Sequence, residues 1–83
     1  MQLGLFTTVR QPQPWLTCYD VGVHTVSVDG SMIMITNRAI GREIIRFTLP
    51  AGLMVRDVVA VVEAGGDWPV WSVADWYRKA GRR

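Results

Sequence analysis

The chain has 83 residues, 49% of them hydrophobic, one cysteine, and a formal net charge of +2 from nine Lys and Arg against seven Asp and Glu. That length makes one domain, 1–83, which buries only about 60–65% of the surface its unfolded chain exposes. A single thiol excludes an internal disulfide, no group of Cys and His has metal-ligand spacing, and no run of about 18 uncharged apolar residues offers a membrane span.

The opening "MQLGLFTTVR" is apolar but has neither a positive n-region nor a small-residue cleavage site, so it does not read as a signal peptide. Within it, Leu3–Val9 has the β-branched and aromatic content of a strand. "QPQP" (Gln11–Pro14) follows as an expected extended connector, because proline donates no ladder hydrogen bond. "WLTCYDVGV" reads as strand again. Val21 and Val23 have the opposite parity to Val26 and Val28, which predicts a bulge or bend near Gly22–Thr25.

"VHTVSVDGSMIMIT" carries the clearest local signal. Asp29-Gly30 predicts a two-residue hairpin turn, with Val26 facing Ile33 and His24 facing Ile35. Val26, Val28, Ile33 and Ile35 then share one face, and Thr25, Ser27, Met32 and Met34 share the other. After the "NRAIG" loop, "REIIRFTLP" (Arg42–Pro50) is a further strand, ended by Pro50.

The period then changes. Val55, Val58, Val59 and Val62 fit an amphipathic helix that Gly65-Gly66 ends, although β-branching lowers helix propensity. In the last segment Ser72 is a good N-cap with Asp75 at the capping-box position, and Val73, Trp76, Tyr77 and Ala80 form one helical stripe. The predicted fold class is α+β, a small antiparallel sheet of three to four strands followed by two C-terminal helices packed on one face.

Catalytic chemistry is not expected. Cys18, Asp20 and His24 have the same strand parity, but at about 3.3 Å per residue Asp20 and His24 stand ~13 Å apart on a straight strand, far beyond the contact distance a nucleophile and base need. No dyad of acids, no phosphate-binding glycine loop and no cofactor motif appears. The chain is read as a non-enzyme without cofactor or metal.

Two binding readings remain. The first is a small protein-interaction module, supported by high apolar content in a short chain and by a surplus of Trp, Tyr, Arg and Met. A phage- or mobile-element-encoded inhibitor of the anti-CRISPR type, occluding a surface of a host enzyme or nucleoprotein complex, is one form of it. A homodimeric structural or accessory protein, with the exposed side of its sheet paired, is a third possibility.

The alternative is a nucleic-acid binder. Arg78, Lys79, Arg82 and Arg83 are concentrated at the C-terminus, near Trp68 and Trp71 in a loop-like segment, and Arg38, Arg42 and Arg46 form a second basic group. The predicted partner-binding residues are therefore Trp68, Trp71, Arg38, Arg42, Arg46, Arg78, Lys79, Arg82 and Arg83. No membrane partner is expected, and a lone thiol suits a cytoplasmic location.

Overall fold

The computed structural model describes residues 7–65, 68 and 72–79. Five antiparallel strands form one sheet in chain order: β1 (Thr7–Gln13), β2 (Leu16–Val21), β3 (His24–Asp29), β4 (Met32–Asn37) and β5 (Arg42–Thr48). Two helices follow, α1 (Val55–Ala64) and α2 (Val73–Lys79). The α+β expectation holds, with five strands where the sequence predicted three to four.

Two local features differ from the expectation, and the second supplies the additional strand. The "QPQP" stretch does not leave the sheet: Gln11, Pro12 and Gln13 lie in β1, and the missing proline donor falls within a register break between Arg10 and Gln13. The parity change near Gly22 is a complete chain reversal and not a bulge. Val21 pairs with His24, so Gly22-Val23 is a two-residue turn. Gly22 has φ 57 and Val23 is not left-handed, which is the combination of a type II′ turn.

The β3–β4 hairpin uses the same device. Gly30, at φ 61, is the first of two turn residues, and Asp29 stays in the strand opposite Met32. Val28 therefore faces Ile33 and Val26 faces Ile35, a register two residues from the predicted one. A shift of two preserves the faces, so the expected core set Val26, Val28, Ile33 and Ile35 still shares one side.

On that side Val21, Val26, Ile33 and Ile35 are buried together with Leu53, Val58, Val59, Val61, Val62, Trp68 and Trp76. α1 packs over β2 and β3, with its valine stripe turned to the sheet as the helical period predicts. Gly65 closes α1, its N–H donating to the carbonyls of Val61 and Val62. At its other end the Asp57 carboxylate accepts from the Met54 N–H at 2.8 Å. The capping box expected for α2 is present: Ser72 N–H donates to Asp75 Oδ2 (2.9 Å), and Asp75 N–H donates to Ser72 Oγ (3.3 Å). Trp76 lies against Phe47 of β5, ring centroids 5.1 Å apart.

Both sheet edges are blunted against strand addition. β1 carries Pro12 and its register break. β5 carries a bulge, because Ile35 pairs with Ile45 while Thr36 pairs with Glu43, leaving Ile44 as the extra residue.

Candidate protein-interaction surfaces

The predicted partner-binding residues do not form one surface. Trp68 is 3% exposed and its ring meets His24 edge to face at 5.1 Å, so it belongs to the core. Trp71, Arg82 and Arg83 lie outside the described residues. On a regular strand Arg42 and Arg46, four residues apart, would share a face. The Ile44 bulge separates them: Arg46 pairs with Met34 and Arg42 with Asn37, which lie on opposite sides of the sheet.

Three of the five predicted cations among the described residues are already engaged by acids. Arg46 donates to Glu43 Oε1 at 2.8 and 3.2 Å, an i,i+3 contact that a straight strand would forbid and the bulge permits. Arg78 donates to Asp75. Arg38 is held more firmly. Its guanidinium donates to the carbonyls of Gly22 and His24, to Thr25 Oγ1 at 2.9 Å and to Asp20 Oδ1 at 3.4 Å, stapling the 38–41 loop to the 22–23 turn. Arg42 and Lys79 are exposed and form no salt bridge among the described residues.

Asp20 is the centre of this network. It also accepts from Arg10 Nε (2.5 Å) and Nη2 (3.0 Å) and from Thr25 Oγ1 (2.7 Å). The Arg10 hydrogen bond above all holds its carboxyl at about 2, below the ordinary 3.8, with Thr25 and Arg38 acting in the same direction against partial burial. A carboxylate so placed stays ionised and holds the network together as its anion.

The Cys18, Asp20 and His24 set is split by the turn at Gly22-Val23. Cys18 and Asp20 face the helix-free side, where Cys18 Sγ lies 3.5 Å from Ser27 Oγ. His24 pairs with Val21 and turns to the core, where burial and then the Arg38 charge hold its imidazole below the ordinary 6.5. Among the described residues no three His, Cys, Asp or Glu are grouped to hold a metal, and no helix is long and apolar enough to cross a membrane.

A different region offers an apolar surface. Tyr19, Leu53, Met54, Val55 and Arg56 line an open groove of about 440 Å³ where the chain enters α1 beside β2. Val9 pairs with Tyr19 on the same side of the sheet and is 53% exposed, and Met54 is 47% exposed. Trp15 occupies the turn of the same β1–β2 hairpin and is 63% exposed. An open apolar groove flanked by large exposed hydrophobic residues, with one arginine at its rim, can seat an apolar side chain and pair an acid beside it.

Val9, Tyr19, Met54 and Arg56 were not among the predicted partner-binding residues, and neither was Trp15. The signal available was its position after Pro14: a tryptophan in a two-residue turn has no neighbouring layer to cover it. Comparison with protein-family models, with curated proteins and with solved structures finds no match for this chain.

Proposed function

We propose that this chain is a small, non-catalytic protein-interaction module, and that the groove at the start of α1 is its binding surface. The observation that carries the reading is the groove lined by Tyr19, Leu53, Met54, Val55 and Arg56, with Val9 exposed beside Tyr19 in the sheet and Trp15 exposed on the same hairpin. Exposed Met at an apolar depression, and exposed Trp, are residue types that anchor protein partners. The separation of Cys18 and Asp20 from His24 supports a role without chemistry. A blocking role fits such a module: an inhibitor of the anti-CRISPR type, encoded by a phage or mobile element, that occludes a surface of a larger host enzyme or nucleoprotein complex.

The nucleic-acid reading has less support. Arg38, Arg46 and Arg78 each face an acid, and Arg42 and Arg46 lie on opposite sides of the sheet. Cations already neutralised release few counterions on binding a phosphate backbone. Anisotropy with labelled mixed-sequence DNA and RNA at about 50 and about 200 mM salt separates the two readings, since phosphate-driven binding weakens by orders of magnitude between them. The expected outcome is no binding at either salt. Salt-sensitive binding lost in an Arg42→Ala, Lys79→Ala variant would transfer the function to the basic residues.

A further inference from the structure

We propose that the helix-free face of the sheet pairs with the same face of a second copy of this chain, through a two-fold axis running across the strands. This surface is distinct from the α1 groove, and the proposal goes beyond the reading above without depending on it.

The registers lay the face out in rows. Leu16, Asp29 and Met32 stand side by side at the end next to the 30–31 turn. Cys18, which is buried, Ser27 and Met34 form the middle row, with Arg10 beside Cys18 at one flank and Arg46 beside Met34 at the other. Asp20 and Thr25 lie at the end next to the 22–23 turn. The centre is apolar and adaptable: Leu16, Met32 and Met34 are half-buried with neither helix packed over them, and methionine fits itself to an opposing surface. With both edges blunted, association by strand addition is disfavoured and the face is the surface left for pairing.

Charge selects the occupant. Asp29 is exposed and forms no salt bridge among the described residues, so the first end carries a negative charge. Towards the opposite end Arg10, reaching over from the middle row, and Arg38 share the single carboxylate of Asp20, leaving one positive charge in excess. Arg46 and Glu43 cancel on the flank. A face that is negative at one end, apolar in the middle and positive at the other complements itself. A two-fold axis across the strands sets each Asp29 end on the Arg10–Arg38 end of the other copy and brings the two Met34 side chains together. An axis along the strands would instead oppose Asp29 to Asp29.

The size of the sheet sets the strength. Five strands about 4.8 Å apart and six residues long present roughly 400–500 Å² per copy. The two copies together bury about 900 Å², below the roughly 1,200 Å² at which standard specific interfaces begin. The dimer is therefore weak and depends on concentration and salt.

Sedimentation equilibrium of the full chain from about 10 to about 500 μM, at about 50 mM salt, tests this. The expected result is a monomer–dimer equilibrium whose dissociation constant rises about tenfold or more in Asp29→Lys, which places like charges at both junctions, and in Met34→Asp. Met54→Glu, on the groove, leaves it unchanged. Asp29 is exposed, so Asp29→Lys remains decisive even where Met34→Asp fails to fold by circular dichroism. A monomer at every concentration, or a dimer that Asp29→Lys leaves intact, overturns the proposal. A monomer that still binds a partner in a Met54-dependent way overturns the dimer alone and leaves the groove reading standing.

Discussion

The imidazole of His24 meets the indole of Trp68 edge to face, ring centroids 5.1 Å apart and ring planes at 79°. This contact places Trp68 inside the core, while Trp15 on the opposite end of the sheet is left in solvent. The two tryptophans should therefore respond differently to truncation. Trp68→Ala is expected to destabilise the fold by about 3–5 kcal/mol, as for other buried large aromatics. Trp15→Ala should change stability by no more than about 0.5 kcal/mol and should instead weaken partner binding. Urea unfolding of the two variants checks the pair.

His24 also gives a pH dependence. Burial and the Arg38 charge hold the His24 imidazole below its ordinary value of 6.5, so the unfolded chain takes up its proton first as pH falls. The stabilisation is fully present above 6.5 and is lost as pH drops below it towards the folded value. The melting temperature should fall through that window, and His24→Phe should flatten the profile there.

Asp20 acts at lower pH. Its carboxyl titrates at about 2 in the folded chain against an ordinary 3.8, so its contribution is complete above 3.8 and disappears as pH falls towards 2. Asp20→Asn at neutral pH leaves Arg10 and Arg38 without their shared anion, and is expected to cost about 1–2 kcal/mol, since the arginines are partly solvent-screened. The variant should also lose the acid limb of the stability profile between those two values.

Gly22 carries the turn that converts one predicted strand into two. At φ 57 an L-residue is strained, and no atom lies within 4 Å of a Cβ built there. The cost of Gly22→Ala is thus conformational alone, about 1–2 kcal/mol. Gly22→Asn should recover part of it, because asparagine tolerates the left-handed region. Thermal melts of the two variants give the comparison.

Much of the fold was legible in the residues. Val26, Val28, Ile33 and Ile35 alternate cleanly, and the Ser72–Asp75 pair marks the start of α2. What the sequence hid was mostly a matter of one or two residues. Asp29-Gly30 suggested a turn with two left-handed residues, but a type II′ turn needs only one, and Gly30-Ser31 supplies it. Gly22-Val23 lacks the polar residues that advertise a turn, so a reversal was mistaken for a bend. The Ile44 bulge left no trace in a stretch of consecutive apolar residues, and it moved Arg46 to the other side of the sheet from Arg42.

The candidate site was less legible still. Clustering of tryptophan and arginine along the chain drew attention to the C-terminal segment, yet Trp68 is buried by a histidine more than forty residues away in sequence. The groove joins Tyr19 of β2 to Met54 and Arg56 at the start of α1. No local pattern brings these residues together; the crossing of the chain from β5 to α1 does.

The most direct test of the protein-binding account is site-specific photo-crosslinking in cells of the source organism. The probe is placed in turn at Val9, at Met54 and, as a control, at Ile40, which is exposed on the 38–41 loop. The account predicts crosslinks to one and the same protein from Val9 and Met54 and none from Ile40. Equal crosslinking from all three positions, no protein crosslink from any, or crosslinks to nucleic acid from the groove would contradict it.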